Sequence, residues 1–269
     1  MNFGRNPRLY KSTVAAIARD SVRYALIKPV LDRAVKAHVH GLEHLDDLRA
    51  PFLVTPNHSG HFDGPLIMLT MPSRLTKELA TGAAADYFFT KWYTAMGTQL
   101  LMNAFPVDRA RNKGRNHRGM SGELLDAGVS LLIFPEGTRS RTGGMGRFKP
   151  GTAALAIAHN VPVVPVALVG SWAAWPPTEK RWLPGRPDVH VVYGAPMTAE
   201  PGEIAHEFNE RMRRQVLELH DTTARAYGAK TLDEYARAAA LEKAAKTEIT
   251  ALAEDARARA DQQDHQEDQ

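Results

Sequence analysis

Across residues 39–196 short apolar runs of strand character alternate with stretches of helical periodicity, and this alternation restricts the chain to a sheet covered by helices on both faces. The clearest strands are 52–55, 131–134, 163–169 and 189–192, with helical patterns at 64–71, 86–101, 116–127 and 151–159. The fold class is therefore α/β, a mixed and mostly buried sheet flanked by helices. A further amphipathic helix is expected over 203–226, with Ile204, Phe208 and Met212 on one side.

Composition removes whole classes. In 269 residues, 43% are hydrophobic and 24% charged, which is outside the range of disordered, collagen-like or polytopic membrane chains. Cys is absent, so disulfides, thiolate nucleophiles, iron–sulfur clusters and Cys-based zinc sites are excluded. The net charge of +4 is unevenly spread. Residues 1–38 carry eight Lys/Arg against two acids, whereas 229–269 carry six against ten. A basic front end suits an anionic surface, either lipid headgroups or nucleic acid.

Three regions follow: 1–38, a basic amphipathic helix; 39–228, the main domain; and 229–269, an Ala/Glu-rich tail expected to be mobile or partly helical. The first ten residues lack the apolar core of a secretory signal, so export by that route is not expected. Val14, Ile17, Ala18, Val22, Ala25 and Leu26 recur at helical spacing, with Lys11, Arg19 and Arg23 on other faces, and the helix is expected to end near Pro29. Such a helix either lies in a membrane interface or packs on the domain. The long uncharged stretch 150–178 is interrupted by Pro162 and Pro165, so it reads as a helix and a buried strand, not as a membrane span.

Three stretches could carry chemistry. In Thr55-Pro-Asn-His-Ser-Gly-His-Phe-Asp63 a loop after a strand turns back through Ser59-Gly60, which allows His58 and Asp63 to pair as a general base and its orienter. The same residues also fit a plain N-cap at Asp63, a structural loop histidine, or a two-His-one-carboxylate metal set of His58, His61 and Asp63. In Phe134-Pro-Glu-Gly-Thr-Arg-Ser140 a strand runs into a turn whose Gly137 permits close approach, and whose Thr138 and Arg139 can donate to an anionic ligand beside Glu136. Phe105-Pro-Val-Asp-Arg109 is followed by Arg111, Lys113, Arg115 and Arg118, a phosphate-attracting run without the interleaved aromatics of nucleic-acid sites. No nucleophile elbow, P-loop or dinucleotide fingerprint occurs.

Together these stretches resemble the lysophosphatidic acid acyltransferase family of glycerolipid acyltransferases. His58 through Asp63 is similar to the family's first block, His-x4-Asp; 105–109 to the second; 134–140 to the third; and Val161-Pro-Val-Val-Pro-Val166 to the fourth, in the same order over residues 39–197. One departure is Gly60, where a serine is frequent, with Ser59 one position earlier. The resemblance implies that His58 deprotonates a lysophospholipid hydroxyl, most simply that of 1-acylglycerol 3-phosphate, for attack on the thioester of acyl-CoA or acyl carrier protein. Asp63 would orient the imidazole. Glu136, Gly137, Thr138, Arg139 and Arg109 would hold the glycerol phosphate. No cofactor, metal or nucleic acid is implied, and the enzyme would sit peripherally on the cytoplasmic face of a membrane, with lipids as partners. The fourth block is expected to be a core strand. Two aromatic groups, Phe88, Phe89, Trp92, Tyr93 and Met96, and the Trp172, Trp175 and Trp182 set, are candidates for an acyl groove, an interface or simple core packing. Acylation of another lipid alcohol or amine by the same mechanism is an alternative, and a metal-dependent hydrolase using His58, His61 and Asp63 and a non-catalytic lipid-binding protein remain the alternatives from other classes.

Overall fold

The structure is a computed structural model that describes residues 10–84, 102–107 and 119–267. Its centre is a seven-stranded sheet built from β1 (Lys36–His40), β2 (Leu53–Pro56), β3 (Leu79–Ala84), β4 (Phe105–Val107), β5 (Ser130–Leu132), β6 (Val163–Val169) and β7 (Asp188–Tyr193), in the order β1-β7-β6-β2-β5-β3-β4. The pairs β6–β2, β2–β5, β5–β3 and β3–β4 are parallel, as is β1–β7, while β7 meets β6 antiparallel. The sheet is therefore mixed, as expected. Five parallel strands end at one edge, where ligand sites form in open α/β sheets.

Alternate side chains along each strand enter two separate cores. Val54, Leu132 and Val164 join Phe62, Leu66, Ile67 and Leu31 on one face. Leu53, Leu131 and Val163 join Leu124, Ala153, Phe208 and Met212 on the other. The helices supplying these layers include α1 (Thr13–Val22), α2 (Lys28–Ala34), α3 (Asp63–Thr70), α4 (Ser73–Thr76), α5 (Met120–Asp126), α6 (Gly151–His159), α7 (Ser171–Ala174), α8 (Ala205–Tyr227) and α9 (Leu232–Glu267).

The N-terminal helix does not stop near Pro29. A π-helical turn over Arg23–Ile27 joins α1 to α2, with the Lys28 amide bonding the Arg23 carbonyl, and Pro29 enters α2 within its first two positions, where its missing N–H and fixed φ are tolerated. The polarity of this helix also faces an unexpected way. Arg19 and Arg23 are buried, Arg19 donating to the Lys77 carbonyl at 3.1 Å and Arg23 to Asp20 at 3.1 Å. The side turned outward is apolar: Val14 is 79% exposed, Ile17 63% and Leu26 62%. Among the described residues of this region the cations left at the surface are Lys11, Lys28, Arg33 and Lys36.

After the left-handed Gly228 that ends α8, the tail is helical, and its first turn is part of the domain. Leu232 and Tyr235 are buried, with Tyr235 edge-on to Trp172 at 5.6 Å between ring centres. Gly143 is required beneath it, since a Cβ there would fall 2.5 Å from the Tyr235 ring and its φ of +86° is one that L side chains rarely adopt. Among the described residues no helix is long and apolar enough to cross a membrane.

Candidate active site

Three adjacent strands, β5, β2 and β6, deliver the site. β2 ends at Pro56, and the next residue, Asn57, extends the ladder with its side chain: its carboxamide donates to the Leu168 carbonyl at 3.1 Å and accepts from the Leu168 amide at 2.7 Å. This bond pair fixes the start of the loop that carries His58.

The loop then doubles back onto α3, whose first residue is Asp63. Asp63 is fully buried, and its Oδ2 accepts from His58 Nδ1 at 2.7 Å, from the Ser59 amide at 2.7 Å and from the Gly60 amide at 2.9 Å. Phe62, not Asp63, occupies the N-cap position. Facing a carboxylate, Nδ1 carries the ring proton, which leaves the Nε2 lone pair unoccupied by this pairing. The imidazole lies on the Phe134 ring with 3.9 Å between centres, and its side chain keeps 20% exposure, enough for a reactant to reach it.

The loop after β5 clamps His58 from the other side. Glu136 Oε1 accepts from the His58 amide and Oε2 from the Gly146 amide, both at 2.7 Å, and the Ser140 amide donates to the His58 carbonyl at 2.8 Å. The carboxylate of Glu136, a residue expected to help hold an acceptor, is buried and braces the backbone of the histidine loop. Burial pushes its pKa up from 4.5 to about 7, partly offset by the two amide donors. Gly137 adopts φ +74°, and a Cβ there would lie 2.6 Å from the Lys149 ammonium nitrogen.

Thr138 is exposed in this turn, and Arg139 is half-buried. The Arg139 guanidinium rests against the His61 ring, with one nitrogen 3.2 Å from Nε2 and also in contact with Nδ1. The His61 ring also meets Trp175, 4.6 Å away centre to centre. Burial first, and then the adjacent guanidinium, lower the His61 pKa to about 4, so this ring is neutral beside the arginine near pH 7. His58, His61 and Asp63 are thus not brought together as a ligand set, because the His61 nitrogens face a cation. Among the described residues no three His, Asp or Glu side chains are arranged to hold a metal ion.

Arg109 and the basic run 111–118, with the aromatic group 88–96, lie outside the described residues. Trp175 packs on His61 and Phe62, and Trp182, 41% exposed, sits beside it. Sequence reasoning missed Lys149 and Ser171. Lys149 follows Phe148 just before α6, and only its position beside Gly137 marks it. Ser171 donates through Oγ to Asp63 Oδ1.

The family model described as Acyltransferase matches residues 36–169, which contain all four sequence blocks. A 1-acyl-sn-glycerol-3-phosphate acyltransferase of Cocos nucifera is 31% identical over 150 residues, 55% of this chain and 46% of that protein. One from Pseudomonas aeruginosa is 37% identical over 123 residues, covering 44% and 46%. The chain spans about half the length of the curated relatives it matches. The crystal structure of the 1-acyl-sn-glycerophosphate (LPA) acyltransferase PlsC from Thermotoga maritima superposes with a TM-score of 0.55 over 78% of this chain and 88% of that one, at 22% identity, a likeness of fold. With the blocks in order, the imidazole–carboxylate pair at the sheet edge and the family match over the same residues, the chain belongs to the acyltransferase family.

Proposed function

We propose that this chain transfers a fatty acyl group from a thioester, acyl-CoA or acyl carrier protein, to the free hydroxyl of 1-acylglycerol 3-phosphate, giving phosphatidic acid. The observation that carries the reading is the His58 Nδ1–Asp63 Oδ2 bond of 2.7 Å, made by a carboxylate with no exposure to a ring that keeps some. In this reaction Nε2 takes the hydroxyl proton as the oxygen attacks the thioester carbonyl. The tetrahedral carbon then expels the thiolate, the C–S bond breaks, and the imidazolium returns the proton to sulfur. Asp63 holds the ring in one tautomer and balances its transient positive charge. The chemistry written this way uses no cofactor beyond the donor.

Arg139, Thr138 and the Gly137 backbone, with Arg109, are assigned to the acceptor phosphate, and Lys149 adds a cation beside Gly137. Glu136 is assigned to holding the histidine loop. Holding the acceptor hydroxyl near Nε2 is itself a large part of the rate enhancement. The exposed Val14, Ile17 and Leu26 face, flanked by Lys11, Lys28 and Arg33, supports peripheral attachment to an anionic bilayer, and we assign it to the cytoplasmic side.

The test is thiol release from acyl-CoA in the presence of 1-acylglycerol 3-phosphate, with product mass as identification. His58→Ala is expected to lose about 10²–10⁴-fold in kcat while keeping its circular dichroism spectrum. Retained turnover in that folded variant refutes the mechanism. Transfer to other lysolipids but not to the phosphorylated acceptor reassigns the substrate.

A further inference from the structure

We propose that Ser171 is a positioning residue for the His58–Asp63 pair, fixing the Asp63 carboxylate through the oxygen that the histidine loop leaves alone. The proposal rests on the reading of His58 as the base.

The carboxylate is held asymmetrically. Three donors, His58 Nδ1 and the Ser59 and Gly60 amides, converge on Oδ2. Among the described residues the donor to Oδ1 is the Ser171 hydroxyl. Both Asp63 and Ser171 have no exposure, so water does not stand in for this hydroxyl at the surface. A buried carboxylate with one oxygen unpaired is costly, and its orientation then rests on the histidine-loop donors alone. With Ser171 in place, Oδ2 is kept in line with Nδ1.

The local fold is shaped around this contact. β6 ends at Val169, and Gly170, at φ +85°, reverses the chain so that Ser171 starts the short α7 over the dyad. A Cβ at Gly170 would lie 2.5 Å from the Asp188 carbonyl oxygen, so glycine is required for the reversal. Gly60 is shaped by the same approach. A Cβ on it would lie 2.3 Å from Ser171 Oγ and 2.6 Å from the Ser171 carbonyl oxygen. No side chain at position 60 fits while the Ser171 backbone is there, so the hydroxyl reaches Asp63 from β6 and not from the histidine loop. The strand that carries the fourth sequence block, Val161–Val166, thereby leads the chain to Ser171 at the site.

The experiment compares Ser171→Ala, Asp63→Ala and the double variant in full-length protein by thiol release. Ser171→Ala is expected to lower kcat about 10- to 100-fold, the range for a hydrogen bond to a charged group, with KM for donor and acceptor within about twofold. In the Asp63→Ala background the same change is expected to alter kcat less than about twofold, because Ser171 acts through Asp63. A parental kcat in Ser171→Ala, or an undiminished loss in the Asp63→Ala background, overturns the proposal. Should Ser171→Ala fail to melt cooperatively, the near-isosteric Ser171→Cys, a weaker donor, carries the same comparison: an intermediate kcat supports the proposal and a parental one overturns it. His58→Ala is run alongside. If it is inactive while Ser171 proves neutral, only the positioning role falls; if it is active, the base reading itself falls.

Discussion

Replacing Glu136 by glutamine exposes the energetic consequence of the brace that ties the two catalytic loops together. An ordinary glutamate in the unfolded chain loses its proton near 4.5, whereas burial keeps Glu136 protonated to about pH 7 in the folded protein. Below 4.5 both states hold the proton, and the group is neutral towards stability. Between 4.5 and 7 only the unfolded chain releases it, which favours unfolding; above 7 both are ionised and the full penalty stands. At about 1.4 kcal/mol per pH unit, the interval is worth about 3 kcal/mol, present at low pH and lost as pH rises through 7. Glu136→Gln removes the titration while keeping the size. The difference in unfolding free energy, parent minus variant, should therefore fall by about 3 kcal/mol from pH 4.5 to 8.5, read from urea titrations at each pH. Other acids titrate equally in both proteins and cancel. A difference constant to within about 1 kcal/mol across that range refutes the argument that the carboxylate is buried against its own ionisation.

Arg139→Ala should raise the acceptor KM about 10- to 100-fold with donor KM within about twofold, the scale of a charge-assisted contact to phosphate; an unchanged acceptor KM would remove Arg139 from the phosphate site. Introducing charge on the outward helix face, Ile17→Glu with Leu26→Glu, should weaken co-sedimentation with anionic vesicles at least about tenfold while leaving turnover of a detergent-dispersed acceptor intact. Undiminished co-sedimentation would show that this face is not the attachment surface.

Some elements were legible because local sequence determines them. β6 falls on 163–169 as read, since its run of β-branched residues admits little else, and α6 on 151–159. β2, β5 and β7 were displaced by a residue or two at their ends. β1 and β3 escaped notice for opposite reasons. β1 reads Lys-Ala-His-Val-His and lies exposed along one sheet edge, so it lacks an apolar run; β3 reads Leu-Ala-Thr-Gly-Ala-Ala, small residues of low strand preference that pairing with β5 and β4 overrides. The N-terminal helix shows what periodicity leaves open. Spacing correctly separates Val14 and Ile17 from Arg19 and Arg23, but not which set faces the protein, and here the Lys77 and Tyr10 carbonyls capture Arg19 on the inner side.

The dyad was legible because His58 and Asp63 lie five residues apart, within one loop and the first turn of one helix. Its supports were not, because they follow from strand order. In sequence the histidine block comes first, yet in the sheet β2 lies between β5 and β6. His58 is consequently held from both flanks. From the β5 side Glu136 and the Ser140 amide grip its backbone; from the β6 side Leu168 fixes Asn57, and Ser171 reaches the carboxylate that orients the ring. The parallel direction of these three strands puts all of those groups at the same edge, so a base drawn from a short loop gains the rigidity of the sheet through long-range contacts on both of its flanks. A slip in either flanking strand would move a tether before it moved the histidine.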